Sequence, residues 1–207
     1  MCYNFNSKGV DLKKAITDFD AEEADTSNFS IGLINAFAKQ TKPTIPAIVN
    51  HNGIVLMPTY WGIKEIKKYP TSGLNLTSEK TYRDYKNIQK NGCLIPATSY
   101  YEGKKVILPT NKSGSQKHEM FWKDHTQFYI AGFYDFWSDG NIGFGLVTTE
   151  PNEVQAPIHD RMIITLDKKM GREFLNQKPI EEFQFPNFSP NLDFLNLEPE
   201  KTPQTLF

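Results

Sequence analysis

Cys2, Glu102 and His159 are the residues whose types and settings could do chemistry. Methionine removal is favoured when the next residue is small, so a mature chain would begin at Cys2. Its α-amine would then have a pKa of about 8 beside a thiol near 8.5. Around neutrality both groups are partly deprotonated, and both can attack one carbonyl carbon. The amine condenses with an aldehyde to a Schiff base, and the thiolate closes on the same carbon as a thiazolidine ring. By position alone, a cysteine there is read first as incidental. Glu102 follows two aromatic residues in Ser99-Tyr100-Tyr101-Glu102-Gly103. Desolvation in that setting would raise its pKa towards the general acid–base range; the plainer alternative is a surface glutamate at a strand end. His159 stands before Asp160-Arg161-Met162, a setting for proton transfer near neutral pH, or for a capping or core histidine. Cys93, within Asn91-Gly92-Cys93-Leu94-Ile95-Pro96, reads as a buried structural thiol.

Other chemistries are excluded by what is missing. His51, His118 and His125 stand in turn-like contexts, and the chain has neither an HExxH nor a paired CxxC motif. No metal site and no cofactor is therefore expected. Gly143 and Gly145 lie inside an aromatic strand-like segment, so they do not form a phosphate-binding loop.

The elements that must position these residues are short. Asp11 to Phe19 has helical spacing, with Leu12, Ala15, Ile16 and Phe19 on one side. Ala47–Val49 and Ile54–Met57, joined by Asn50-His51-Asn52-Gly53, predict a hairpin. Ser78 to Lys90 predicts a helix capped by Ser78 and ended by Asn91-Gly92. Strands are expected at Lys105–Leu108, Glu119–Lys123, Gln127–Tyr134, Phe144–Thr149 and Met162–Leu166, and a helix at Asp167–Leu175 with Asp167 as its cap. The tail from Pro179, rich in Pro, Asn and Phe, is expected to be irregular and wrapped on the surface. Many short strands interrupted by a few helices point to an α+β fold.

Length and composition fit one domain over residues 1–207, with 167–207 an extension packed on it. With 15 Phe and 9 Tyr the chain has material for a real core, so wholesale disorder is excluded. No apolar run reaches the roughly 18 residues of a membrane span, and the first residues do not read as a secretory signal. With two cysteines, a cytoplasmic setting with reduced thiols is expected. The net charge of −1 attracts no nucleic acid globally, but residues 61–105 carry nine basic side chains against four acidic ones, between two acidic ends. That centre could make a local anion-binding face, or simply a solvated helix face with paired charges.

The order of the motifs carries more than any one of them. Met1-Cys2, Tyr60-Trp61-Gly62-Ile63 and Asn75-Leu76-Thr77-Ser78-Glu79 are followed by Cys93-Leu94-Ile95-Pro96-Ala97, which runs into Tyr100-Tyr101-Glu102. Ala131-Gly132-Phe133-Tyr134 comes next, then Thr148-Thr149-Glu150-Pro151-Asn152 and Ile158-His159-Asp160-Arg161-Met162. This succession resembles the SOS response-associated peptidase (SRAP) family. The resemblance implies a single α+β domain with a barrel-like mixed sheet and peripheral helices, acting as a monomer on single-stranded DNA that contains abasic sites. Cys2 would be the nucleophile forming a thiazolidine with the opened sugar, after self-cleavage removes Met1. Asn75 would position the N-terminus and steady the sugar oxygen, Glu102 would shuttle protons, and His159, oriented by Asp160, would assist ring opening and Schiff-base formation.

The departures fall on the DNA-binding side. Tyr3-Asn4 stand where the family has Gly-Arg, Thr77 where it has Arg, Gly103 where it has Trp and Ile163 where it has Pro. Charge-assisted phosphate contacts and a stacking platform are lost with them. Lys80, Arg83 and Lys86, or Lys104 and Lys105, could substitute; Thr77, Lys80, Arg83, Lys86 and Arg161 form the expected DNA face. Two alternatives stay open: a module of the same fold that binds single-stranded DNA or a partner without a bond, and a Cys2/His159 thiol peptidase.

Overall fold

Five strands close on one another to make the centre of the molecule. The computed structural model describes residues 3–23, 29–37, 42–64, 73–80, 86–107 and 113–198. Its strands are β1 (Asn4–Asn6), β2 (Glu22–Glu23), β3 (Leu33–Asn35), β4 (Ile45–Asn50), β5 (Ile54–Trp61), β6 (Asn75–Thr77), β7 (Gly92–Ala97), β8 (Ser99–Ile107), β9 (Ser113–Trp122), β10 (Phe128–Phe136), β11 (Ile142–Thr149), β12 (Met162–Ile163), β13 (Thr165–Leu166) and β14 (Leu192–Asn196). One sheet runs β12-β11-β10-β7-β4-β5-β2, and a parallel pairing of Gly143 and Phe144 with Tyr60 and Trp61 joins β11 back to β5. The ring β5-β4-β7-β10-β11 is the expected barrel-like mixed sheet. A second sheet, β14-β9-β8-β1-β3, packs on it.

The expected hairpin is β4–β5, longer than its apolar runs suggested, with Val49 opposite Val55 and Asn50 opposite Ile54. Its turn places Asn52 at φ 53° and Gly53 at φ 136°, the conformations for which Asn and Gly are suited. Two helices flank the barrel: α1 (Leu12–Phe19), where Asp11 accepts the Lys14 amide, and α2 (Lys168–Leu175), where Asp167 accepts that of Met170. Both caps satisfy an amide that a helix start leaves without a partner.

Alternate residues of the barrel strands feed two apolar clusters. Ala47, Val49, Cys93, Ile95, Phe144 and Leu146 meet Phe5, Tyr100 and Met120 of the second sheet. Ile48, Leu94, Tyr129, Phe133 and Val147 meet Phe19 of α1 and Phe174 of α2. Covered on both faces, β7 and β11 are buried throughout and do not alternate.

Several expectations are corrected. The helix foreseen over 78–90 is helical at 78–80 and a 3-10 turn at Lys86–Ile88, while 81–85, Arg83 among them, lie outside the described residues. The segment 162–166 is broken into β12, paired with β11, and β13, paired with β10. Up to residue 198 the tail is not wholly irregular. It buries Ile180 and Phe183 in a 3-10 turn and adds β14 along β9, with Leu195 opposite Glu119. His118 is not in a turn but in mid-β9, buried opposite Glu102.

Candidate active site

Glu102 is fixed from both sides within the second sheet. Asn4 pairs with Tyr101 on β1's side, and His118 pairs with Glu102 on that of β9. Its side chain shares a face with Tyr100, a core residue two positions earlier, and Glu102 is only 3% exposed. Burial pushes its carboxyl up to about 7, with the charge of Asp160 adding to the rise. Near neutral pH both of its forms are then accessible, so it can give and take a proton.

His159 is brought to the cleft that Glu102 lines by a loop that the sequence builds around two amides. Asn152, buried, accepts the Val154 and Gln155 amides on Oδ1 and donates from Nδ2 to Ser189 Oγ and the Pro190 carbonyl. Gln155, fully buried, takes the His159 amide at 3.0 Å on its backbone carbonyl. Its side chain accepts the Tyr100 hydroxyl at 3.0 Å and donates to the Arg161 carbonyl at 3.2 Å. One residue thus ties the strand that carries Glu102 to the segment that carries His159.

The imidazole is 17% exposed. Burial holds it below its ordinary pKa, against the pull of the Asp160 carboxylate. Nδ1 lies 3.0 Å from the Arg161 amide and 2.9 Å from Asp160 Oδ1, and it cannot accept from the first while donating to the second. The lowered pKa favours the neutral ring, in which Nδ1 accepts the amide and Nε2 carries the proton. Asp160, 90% exposed, therefore orients the protonated ring alone.

Arg161 closes this corner. Its guanidinium makes a two-pronged pair with Glu79, at 3.1 and 2.9 Å, and donates to the Thr148 carbonyl at 2.7 Å. Burial alone would raise the Glu79 carboxyl, but the bonds and charge of Arg161 bring it below its ordinary value. Thr148 in turn donates to the Leu76 carbonyl, within the β6 segment that carries Asn75 and Thr77 beside β11. Trp61 holds the same segment from its other end. Its Nε1 donates to the Leu74 carbonyl at 2.8 Å while its ring packs 5.2 Å from that of Phe5 in β1.

Glu102 and His159 line one open cleft of about 530 Å³ together with Tyr3, Tyr101, Gly103 and Lys117. Cys2 lies outside the described residues; its neighbour Tyr3 is part of the cleft wall. Lys80 and Lys86 are exposed beyond β6. Cys93 is buried as expected, and desolvation pushes its thiol far above its ordinary range, so it is no competing nucleophile. Among the described residues no group of His, Cys, Asp and Glu could hold a metal ion, and no helix is long and apolar enough to cross a membrane. Sequence reasoning missed Gln155, His118, Tyr3 and Lys117. A polar residue at every position from Ser115 to Glu119 hid the strand that carries two of them.

Fold and cleft together define an α+β protein with a barrel-like mixed sheet, in which a titratable carboxyl and an imidazole face the same open space. The family model described as SOS response associated peptidase (SRAP) matches residues 1–193, and the chain belongs to that family. It is 34% identical over 107 residues to "Abasic site processing protein YoqW" of Bacillus subtilis, covering 50% of this chain and 45% of that protein. It is 38% identical over 91 residues to "Abasic site processing protein YoaM" of the same organism, covering 42% and 38%. The aligned stretch thus spans less than half the length of these curated relatives. A solved structure from Bacteroides thetaiotaomicron superposes with a TM-score of 0.74 at 20% identity, covering 96% of this chain and 93% of the other. One from Bordetella bronchiseptica gives 0.69 at 15%, covering 95% and 100%. Those two likenesses speak for the fold.

Proposed function

We propose that the protein processes abasic sites in single-stranded DNA, with Cys2 as the N-terminal residue bonding covalently to the opened sugar. The observation that carries this reading is the meeting of Glu102 and His159 in the cleft whose wall includes Tyr3, one peptide bond from Cys2. Adjacent Cα atoms are about 3.8 Å apart, so residue 2 is bonded directly to a residue of the cleft wall, and the reading has its amine and thiol act in that cleft. The names of the curated relatives and the membership of the family support it.

The steps balance as follows. Opening the hemiacetal removes a proton from the anomeric hydroxyl and returns one to the ring oxygen, which a carboxyl titrating near 7 can do in both directions. The Cys2 amine adds to the aldehyde, and the carbinolamine loses water as Glu102 donates a proton, leaving the imine. The thiolate then adds to the imine carbon and the nitrogen takes up a proton, so one C–N and one C–S bond form with loss of one water. The Glu102 carboxylate left by that donation takes the proton released from the amine, the Nε2–H of neutral His159 would donate to the carbonyl oxygen under attack, and the Asn75 amide steadies the oxygen of the opened sugar. The same acid and imidazole would assist water in cleaving the Met1–Cys2 peptide bond. Lys80, Arg83 and Lys86, with Thr77 at the end of β6, would face the phosphates. Arg161, held by Glu79 and Thr148, would shape the rim of that face.

The test is incubation of mature protein with single-stranded DNA bearing one abasic site. A heat-stable adduct on a denaturing gel is expected, and Cys2→Ala abolishes it. An adduct on undamaged DNA, or none with a confirmed free Cys2, would overturn the chemistry; binding without an adduct would favour a non-covalent module. Reversing charge at Arg83 and Lys86 together is expected to weaken capture and flatten its salt dependence.

A further inference from the structure

The cleft carries rings and ammonium groups that acid–base chemistry leaves unused. Tyr3, half-buried, has its ring 4.9 Å from that of Phe37, tilted by 52°, and Phe37 is 38% exposed. In the same cleft Lys117 holds Nζ 4.4 Å from the centroid of the Tyr101 ring, and Lys105 is exposed. Gly103 lies on β8 between Tyr101 and Lys105. A Cβ there would come within 2.4 Å of Ser115 Oγ, so glycine keeps this part of the cleft low and open. Aromatic faces left partly open beside cations suit one class of ligand, a nucleotide of an unpaired strand. Its base has a π face to stack, and its phosphate has a charge to place.

We infer that Tyr3, backed by Phe37, stacks the base adjacent to the reacting sugar, while Lys105 and Lys117 take the neighbouring phosphate. The inference rests on the proposed function and deepens it, because it gives the cleft a preference for a lesion flanked by a base over a run of baseless sugars. It also supplies, within the same cleft, the stacking surface that Gly103 does not provide.

The experiment uses the full chain with Cys2→Ala, so that binding is read without bond formation. Two single-stranded oligonucleotides carry a tetrahydrofuran abasic analogue, one flanked by ordinary bases and the other by further baseless sugars. Fluorescence anisotropy is expected to show about tenfold tighter binding of the first. Tyr3→Leu should erase that preference and Tyr3→Phe should retain it. Lys105→Ala combined with Lys117→Ala should weaken both oligonucleotides alike and lower the salt slope by about 0.7, the loss of one phosphate contact. No preference in the parent, an intact preference in Tyr3→Leu, or equal weakening of both oligonucleotides by Tyr3→Leu would each overturn the inference. If the preference is present but protein with Cys2 forms no adduct on abasic DNA, the stacking subsite stands and the covalent chemistry falls.

Discussion

Glu102 holds its unusual proton affinity because its carboxyl is almost wholly buried at the wall of the cleft. Its pKa near 7, against an ordinary value of 4.5, has one consequence for rate and another for stability. For rate, Glu102→Gln keeps the shape and removes the proton shuttle. Adduct formation is expected to slow about 100-fold or more, and the limb of the pH–rate profile near 7 should vanish in single-turnover gels. For stability, the folded state binds its proton more tightly than the unfolded chain does. Between about pH 4.5 and 7 the native state therefore carries more protons, and stability falls as pH rises through that window. A shift of this size corresponds to about 3 kcal/mol. Urea unfolding should show Glu102→Gln to be more stable than the parent at pH 8, with the gap closing towards pH 4.5; a gap independent of pH would contradict the burial argument. Gln155 invites a different experiment. Replacing it by Ala strips partners from the buried Tyr100 hydroxyl and the Arg161 carbonyl, a cost of about 1–3 kcal/mol for each group left unsatisfied. Adding Tyr100→Phe to Gln155→Ala should recover part of the stability lost, because the stranded hydroxyl is then gone, yet leave the adduct rate low since the segment carrying His159 has still lost the side-chain bond to the Arg161 carbonyl.

At the scale of elements, the barrel closes only because β11 has glycines where other backbones arrive. A Cβ on Gly143 would lie 2.2 Å from the Gly62 carbonyl and 2.1 Å from Trp137 Nε1. Gly62 donates its amide to the Phe144 carbonyl at 2.7 Å, directly beside that contact. Gly143→Ala is therefore expected to destabilise the protein by at least about 1–3 kcal/mol, read as a lower melting temperature, whereas Gly140→Ala, with open space around it, meets only the strain of φ 84°. The sequence announced those glycines as strand-borne but not their purpose, since β5 and β11 are some eighty positions apart and local pattern does not see parallel partners. The hairpin β4–β5 was legible for the opposite reason: its turn residues and apolar runs are neighbours. The two aspartate-capped helices were legible on the same ground. In the site, Glu102 and His159 could be picked out because carboxyl and imidazole chemistry shows in residue type. Gln155 could not, because an amide acquires its role only from distant partners, here the Tyr100 hydroxyl and the Arg161 carbonyl.

Across the whole molecule, charge is arranged differently from its order in the chain. The basic middle and the acidic end of the sequence were read as separate regions, and the Pro- and Asn-rich tail as a surface wrap without register. Folding sets the acidic end beside the strand that follows the basic middle: β14 pairs along β9, and the segment beyond it puts the Glu198 carboxylate 3.4 Å from the Lys117 amide while the Glu198 carbonyl accepts from Gln116 Nε2 at 2.7 Å. An acidic group thus stands beside a strand whose Lys117 faces the cleft, lowering the positive potential that an incoming phosphate would feel. Because Glu198 is exposed, its influence is that of a charge in a high-dielectric setting, strongest at low ionic strength. Glu198→Gln keeps the backbone contact and removes the charge. It is expected to tighten binding of single-stranded DNA about two- to fivefold at low salt, with the gain shrinking as the Debye length falls below the separation of the charges. Anisotropy titrations at several salt concentrations check this. A gain that persists at high salt would mean that the substitution acts by changing the packing of β14, and the electrostatic account of the tail would then be wrong.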